Sequence, residues 1–285
     1  MVEQYQINVS INLAGITDRI QRRLRASMSL VAIGLNARTG ISTGDLKLPE
    51  VNIYQQFDSS NQWTVEQAGE AWQKWILENG FRDVAEEISG LLEETQSVLS
   101  HWQLVEIQKS RPICGEDWNE VVVNRGSRFH QLGLPDKIDF LTNEYGLALP
   151  DALVRQVLTI NAARNCLVHR EGVVTTKDTR GADQFDIEWS AMAMILIENG
   201  VEKEIEPPYL IKGGGQLAVG TRPKTKSFAV GQDLIVTAKE FSQICFTLFL
   251  FASTCAQSLE AHGKAQGIQF LANNEANQLP VEGDE

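Results

Sequence analysis

Three polar side chains near the middle of the chain, Arg164, Asn165 and His169, are the residues best suited to chemistry. Histidine titrates near neutral pH, so it can accept or return a proton under working conditions. The guanidinium of arginine stays charged, and its planar fork fits phosphate oxygens, including those that gain charge in a transition state. The amide of Asn165 can orient an imidazole or a substrate. This trio predicts chemistry on a phosphate ester that uses neither a metal ion nor another cofactor.

The spacing of the three residues predicts how a helix would present them. Asn165 precedes His169 by four residues and therefore lies on the same helix face. Arg164 and His169 are five residues apart, which at about 100° per residue places them about 140° apart around the axis. Because one copy of the helix splays these two side chains, the spacing favours a composite site. A two-fold dimer would bring both pairs into one cleft.

The segment Arg164-Asn165-x-x-x-His169 resembles the signature motif of the HEPN superfamily, many of whose members are dimeric endoribonucleases. The His-x-x-Gly helix exit that ends at Gly172 strengthens the resemblance. So does the segment 230–236, Val-Gly-Gln-Asp-Leu-Ile-Val, which precedes a long apolar helix. The resemblance covers about residues 135–262.

This resemblance implies a metal-independent endoribonuclease that works as a homodimer through Arg164, Asn165 and His169. In such enzymes the ribose 2′-hydroxyl attacks the adjacent phosphate and leaves a 2′,3′-cyclic phosphate, so RNA is the implied substrate and DNA would be inert. A role as a toxin or defence effector is also implied.

A different interpretation of the same residues stays open. Arg164 can pair with a carboxylate, while Asn165 and His169 form a polar cluster at a helix end. Several HEPN-type domains are non-catalytic bundles, so the alternative is a non-catalytic HEPN-like dimer that acts as a scaffold. Such a module would hold a partner, for example an antitoxin or a nucleotidyltransferase.

Composition narrows the classes of protein that fit. The formal net charge of −12 argues against a broad nucleic-acid-coating surface, because such surfaces carry a surplus of Lys and Arg. The four cysteines are scattered without a CxxC pair, which predicts reduced thiols and a cytoplasmic protein. The N-terminus does not read as a signal peptide, and the most apolar run, 244–252, is shorter than a bilayer span of about 20 residues. We therefore expect no membrane association.

The apolar periodicity predicts a mainly α fold, an HEPN-like antiparallel helical bundle with a small antiparallel β-sheet insertion at about 185–236. Three regions are predicted. Residues 1–62 hold a strand, a helix and a long connection of unclear role, residues 63–272 form the bundle with its insertion, and residues 273–285 form a disordered acidic tail.

Several element boundaries follow from local chemistry. Alternation predicts a strand over 5–13, followed by a helix from Thr17. Thr64 and Gln67 match a capping box, and Gly80 is predicted to close that helix before a second one runs to about 110. Pro135 suits the first turn of a short helix that ends at Gly146.

The helix that carries the candidate site is predicted to start at Pro150-Asp151 and to exit at Gly172 as its C′ residue. A second capping box, Thr237 with Glu240, predicts a final helix from 238 to about 262.

Two other basic groups have structural interpretations at least as good as functional ones. An extended chain would point Arg222, Lys224 and Lys226 one way, which is typical of a protected hairpin edge as well as of an RNA-steering surface. The arginines at 19, 22, 23 and 25 fit the outer face of an amphipathic helix.

Overall fold

A computed structural model describes residues 11–40, 64–205, 215–268 and 270 of the chain. The protein is mainly helical and carries a small three-stranded antiparallel sheet, which confirms the predicted class at this level. The helices and strands are α1 (Leu13–Ala37), a 3₁₀ turn (Arg38–Gly40), α2 (Val65–Ser110), α3 (Gly115–Trp118), a π-helical segment (Asn119–Asn124), α4 (Arg125–Gln131), α5 (Leu134–Tyr145), α6 (Asp151–His169), α7 (Thr176–Thr179), β1 (Gln184–Glu198), β2 (Val201–Ile205), β3 (Gln216–Ala229) and α8 (Ala238–Ala265).

The chain forms two compact units. One comprises the described residues of 17–90 and 150–252, and the other comprises those of 11–16, 91–149 and 253–270. The first unit contains α6 and the whole sheet, so the candidate site lies within it. The domain boundaries predicted at 62/63 and 272/273 lie outside the described residues, and so does the predicted acidic tail.

Helix α1 begins at Leu13 and not at Thr17, the start predicted from the sequence. The earlier start has a local cause, since the side-chain Oδ1 of Asn12 accepts a hydrogen bond of 3.0 Å from the backbone N–H of Gly15. Residues 5–10 of the predicted strand lie outside the described part of the chain. The last residue of that predicted strand, Leu13, is helical.

The capping box at the start of α2 is confirmed. The backbone N–H of Thr64 donates to Gln67 Oε1 at 2.9 Å, and the N–H of Gln67 donates to Thr64 Oγ1 at 3.3 Å. The prediction that Gly80 closes this helix is wrong, because α2 continues without interruption to Ser110. Its end there, just before Arg111-Pro112, was predicted.

Packing against α1 explains the glycine at position 80. A Cβ atom built there would collide with Val31 of α1, and one built at Gly34 of α1 would lie only 2.6 Å from Ile76 Cδ1 of α2. The two glycines therefore allow the helices to approach closely. Gly80 serves helix packing and does not terminate the helix.

The sheet has the order β2-β1-β3, with antiparallel pairing on both sides of β1. Asn199 and Gly200 both have positive φ, at 50° and 77°, and form the two-residue turn between β1 and β2. One face of β1 is buried, and side chains of α6 and α8 bond to its backbone. The N–H of Glu188 donates to Thr159 Oγ1 of α6 at 3.0 Å, and the N–H of Ser190 donates to Thr247 Oγ1 of α8 at 2.8 Å.

In the other unit, the segment 113–134 is largely helical, whereas its sequence suggests only a short element around Trp118 and 121–123. Helix α5 has the predicted Pro135 in its first turn and the predicted Gly146 at its end, where the glycine adopts φ +69°. Lys137 of α5 is almost fully buried, and its Nζ donates to Glu93 Oε1 of α2 at 2.6 Å. The same carboxylate oxygen lies 3.1 Å from Nδ1 of His130.

Helix α8 begins at the predicted capping box, in which Thr237 N–H donates to Glu240 Oε2 at 2.7 Å and Glu240 N–H donates to Thr237 Oγ1 at 3.2 Å. By length and composition this helix could cross a membrane, and it is the one such helix in the described ranges. Buried positions make up 44% of its most apolar window. A helix that is buried within a protein core has the same apolar character, so this feature is weak support for a membrane span.

Candidate functional site

Helix α6 carries the three candidate residues in its last two turns and is anchored by its apolar face. Asp151 in the first turn complements the positive end of the helix dipole, and Pro150 occupies the N-cap. The apolar face is buried at Val157, Ile160, Ala163, Cys166 and Leu167. Since these side chains fix the rotation of the helix, they decide which way the polar residues between them point.

The end of α6 is held by backbone bonds and by an arginine. The N–H groups of Arg170 and Gly172 both donate to the carbonyl of Cys166, at 3.0 and 3.2 Å. The C-cap is Arg170, so the C′ residue is Glu171, with φ +54°, and not Gly172 as predicted. Gly172 follows it and is also left-handed, with φ +78°. One of the carbonyls in the last turn of α6, that of Leu167, accepts a hydrogen bond of 2.6 Å from the guanidinium of Arg82 in α2.

His169 lies at the last position of α6 with its side chain exposed. Within the described part of the chain its imidazole forms no hydrogen bond or ion pair. The neighbouring Val168 is also partly exposed, at 38%. The imidazole is therefore open to a substrate or to a second protein chain.

Arg164 is more enclosed and has two partners. Its guanidinium donates to Asn165 Oδ1 at 3.2 Å and forms an ion pair with Glu86 of α2. The arginine side chain is 24% exposed and that of Glu86 is 58% exposed, so solvent reaches the pair. The Nε atom of Arg164 is buried, and no described residue accepts a hydrogen bond from it.

The amide of Asn165 orients the arginine in this structure. Its Oδ1 accepts a hydrogen bond from Arg164. Asn165 and His169 share a helix face, but no hydrogen bond links them in the described part of the chain. Arg164 and Asn165 are thus brought together, while His169 contacts neither of them through a hydrogen bond among the described residues.

A row of charged residues on α2, which the sequence reasoning missed, completes the surroundings of the α6 end. Lys74, Glu78, Arg82 and Glu86 follow one another at intervals of four residues. Arg82 and Glu86 contact α6, and Lys74 forms an ion pair of 3.3 Å with Asp233 in the segment after β3. Charges alternating at helical spacing beside a buried stripe were a usable signal for this row.

Two other polar residues near the helix end have structural roles. Arg170 pairs with Asp178, whose side chain is 1% exposed and also accepts bonds from the N–H and hydroxyl of Thr175. Cys166 is fully buried, and burial raises the pKa of its thiol. A buried thiol of raised pKa is a poor nucleophile, so Cys166 belongs to the core, as expected.

The basic row on β3 is neutralised by acids. Arg222 pairs with Glu202, Lys224 with Glu204 and Lys226 with Glu240. These pairs favour the interpretation as a protected strand edge over an RNA-steering surface. On α1, the arginines at 19, 22, 23 and 25 are exposed opposite a buried apolar stripe, as predicted.

All four cysteines are free thiols, as predicted. Among the described residues, no group of three or more His, Cys, Asp or Glu side chains is placed to hold a metal ion. No protein-family model, curated protein or solved structure matches this chain. Its function is therefore inferred from its own residues and their geometry.

Proposed function

We propose that the protein is a metal-independent endoribonuclease of the HEPN type, with Arg164, Asn165 and His169 as its site residues. The observation that carries the proposal is the exposed imidazole of His169 at the end of a helix that also holds a partly exposed, oriented arginine. RNA is the proposed substrate, and a toxin or defence effector in the cytoplasm is the proposed role.

The chemistry assigned to these residues is transesterification at a phosphodiester. Neutral His169 takes the proton from a ribose 2′-hydroxyl, and the 2′-oxygen forms a bond to the adjacent phosphorus. The bond from phosphorus to the 5′-oxygen of the next nucleotide breaks, and that oxygen receives a proton from the protonated His169 of the partner subunit. The products are a 2′,3′-cyclic phosphate and a 5′-hydroxyl.

Arg164 stabilises the phosphate oxygens as they gain charge. The contact with Asn165 holds its guanidinium in one orientation, which reduces the freedom lost when phosphate binds. A phosphate that approaches Arg164 competes with the exposed Glu86 carboxylate. We propose that substrate replaces this carboxylate as the partner of the arginine.

A homodimer follows from the splay of the two catalytic groups. Since Arg164 and His169 lie about 140° apart on one helix, a second copy of α6 is needed to place an arginine and a histidine around one phosphate. The exposed Val168 beside His169 supplies an apolar contact for such a helix pair.

The proposal is tested by incubating the purified protein with RNA in EDTA, alongside His169→Ala and Arg164→Ala variants. Cleavage that persists in EDTA, yields 2′,3′-cyclic phosphate ends and disappears in both variants is the expected result. An oligonucleotide with a single 2′-deoxyribose at the cleaved position should resist cleavage there.

Arg155→Ala is the matched control for the arginine. Arg155 lies on the same helix and pairs with a carboxylate, that of Glu188, at 2.7 Å, so its removal breaks an equivalent ion pair away from the site. Equal losses in Arg155→Ala and Arg164→Ala, or intact RNA with the native protein, would overturn the assignment.

The second candidate is a non-catalytic HEPN-like dimer that binds a partner, such as an antitoxin or nucleotidyltransferase. The ion pair of Arg164 with Glu86 favours it, because this arginine already has a structural partner within the chain. Under this alternative Arg164→Ala lowers the stability of the fold, and no RNA is cleaved by any form of the protein.

A further inference from the structure

A pocket of about 320 Å³ lies beside the end of α6, on the side of the helix that faces α2. This volume falls in the range of about 300–1,000 Å³ found for small-molecule sites. Its walls are mainly apolar and are formed by Leu77, Phe81, Leu167, Leu234 and Val236. Apolar walls of this kind suit a flat ring and offer it few hydrogen bonds, so the polar groups of the pocket determine which ring fits.

Of the two glutamates that line this apolar pocket, Glu70 is exposed and Glu78 is mostly buried. Glu78 is only 19% exposed, and its Oε1 is buried with no hydrogen-bond donor among the described residues. Burial raises the pKa of this carboxyl, although Lys74 and Arg82 oppose the shift. The terminal torsion of glutamate is broad, so small rotations can turn either oxygen toward the pocket. This oxygen is thus a buried acceptor without a donor among the described residues.

A cation stands next to this acceptor. The Nζ atom of Lys74 is 3.8 Å from Glu78 Oε1, beyond hydrogen-bond distance, and 3.3 Å from Asp233 Oδ2. Lys74 and Glu78 therefore present one donor beside the two oxygens of a carboxylate. A complementary ligand carries one acceptor followed by two adjacent donors on one edge of a planar ring.

We propose that this pocket binds a guanine base, with the Glu78 carboxylate accepting from its ring N1–H and its 2-amino group and Lys74 donating to its 6-oxo group. Guanine carries this acceptor-donor-donor order on its Watson–Crick edge. Adenine and cytosine place an acceptor nitrogen next to their single amino group, and uracil has one N–H between two carbonyls. A carboxylate pairs through both oxygens with guanine alone among the four bases.

Where the guanine belongs to RNA, this inference rests on the proposed function and names its substrate preference. Leu167 in the pocket wall lies three residues after Arg164, hence on the same side of α6. Glu78 and Glu86, the partner of Arg164, are eight residues apart on α2, or about 12 Å along that helix. A guanine in the pocket would thus sit close to a phosphate at Arg164 but not directly on it.

The first experiment measures binding and does not require cleavage. Isothermal titration of the full-length His169→Ala protein with GMP, IMP and AMP should give affinities in that order, because IMP lacks the 2-amino group and AMP offers neither the N1–H nor the 6-oxo group. A hydrogen bond to a charged group contributes about 1.5–3 kcal/mol, so GMP should bind at least about tenfold more tightly than IMP. Equal affinities, or no binding of GMP, overturn the proposal.

Variants locate the binding in the pocket. Glu78→Gln should remove the preference for GMP over IMP, whereas Glu70→Gln, which removes the same charge from an exposed position at the pocket, should keep it. Circular dichroism checks that both variants fold. Lys74→Met tests a second residue of the pocket, whose side chain is 43% exposed. This change should weaken the binding of GMP and leave the binding of AMP unchanged. Unchanged GMP binding in both Glu78→Gln and Lys74→Met excludes this pocket.

RNA and free nucleotide are then separated. A guanine-containing tetranucleotide that binds His169→Ala more tightly than GMP does assigns the site to RNA, and the reverse order assigns it to a free guanine nucleotide. Intact RNA with preferred GMP binding would refute the nuclease while the pocket assignment stands. RNA cleavage without GMP binding or guanine preference would refute the pocket assignment while the nuclease stands.

Discussion

Two clusters in this protein combine a histidine, a carboxylate and a cation, and they differ in how completely they satisfy themselves. In the cluster of α4, α5 and α2, Glu93 accepts from the buried Lys137 and from His130 together. At the end of α6, Glu86 forms an ion pair with Arg164. In the described ranges the imidazole of His169 has no partner. Each side chain of the first cluster has a partner within it, whereas the imidazole of the second has none among the described residues.

The difference separates a structural use of these side chains from a chemical one. Burial alone raises the pKa of Glu93, but the hydrogen bond and charge of Lys137, with help from His130, outweigh burial and leave it lowered. A carboxylate that is kept ionised by neighbouring cations stabilises the fold, and its contacts with them compete with binding of a ligand. An imidazole without such neighbours costs the fold little and can serve a substrate.

The largest expected effect is on the rate of RNA cleavage, and it should distinguish the two histidines. His169→Ala should lower the rate of RNA cleavage by about 10²–10⁴-fold, the usual contribution of a general acid or base. His130→Ala should leave that rate within about twofold, since its imidazole is engaged with Glu93. Initial rates on a labelled RNA oligonucleotide measure both, and similar losses in the two variants would erase the distinction between the clusters.

The next effect concerns stability in the closed cluster. Glu93→Ala removes the carboxylate that pairs with the buried ammonium of Lys137 and should lower the free energy of unfolding by about 2–3 kcal/mol. This is less than for a fully buried pair, because Glu93 is 36% exposed. Lys137→Met removes the charge itself and should cost under about 1 kcal/mol. Urea denaturation gives both values.

The pH dependence of that loss has a definite sign. Because the folded-state pKa of Glu93 lies below its ordinary value, its stabilisation is present above the unfolded pKa and is lost as the pH falls through the folded pKa. The gap between the native protein and Glu93→Ala should therefore narrow in acid. A gap that widens there would contradict the assignment of Glu93 as the ionised partner.

A smaller effect is expected at Glu86. Glu86→Gln removes the carboxylate that competes with phosphate for Arg164, and an exposed ion pair contributes only about 0.5–1 kcal/mol. RNA affinity of the His169→Ala protein should rise about two- to fivefold when this change is added, with little change in stability. Filter binding measures the affinity, and weaker binding would indicate that Glu86 positions the arginine and does not compete for it.

The smallest effect is expected at Glu78, whose buried oxygen has no donor in the described part of the chain. Its folded-state pKa is raised, so the native protein loses stability as the pH rises from the ordinary glutamate value through the folded one. Glu78→Gln removes this loss and should be more stable near neutral pH by at most about 1 kcal/mol, given its partial exposure. Thermal unfolding of both proteins at acid and neutral pH measures this difference in stability. A variant less stable than the native protein at neutral pH would contradict the prediction.

Local chemistry made several elements predictable. The capping boxes at Thr64 and Thr237 each satisfy backbone groups within three residues of themselves, so the sequence alone locates these helix starts. The end of α5 at Gly146 is local in the same sense. The end of a helix at Gly80 was predicted by the same rule and was wrong, because the reason for that glycine lies on another helix, at Val31.

By itself the sequence determined the helix that carries Arg164, Asn165 and His169, its periodicity, and the splay of the arginine and histidine around it, since these follow from the 3.6-residue turn. Only the tertiary structure decided that Glu86 pairs with Arg164, that Arg82 caps Leu167, and that Glu78 lines a pocket without a donor. The first two contacts join α2 to residues 78 and 85 positions away, and no local rule relates groups so distant along the chain. Packing of the apolar faces sets which of them meet.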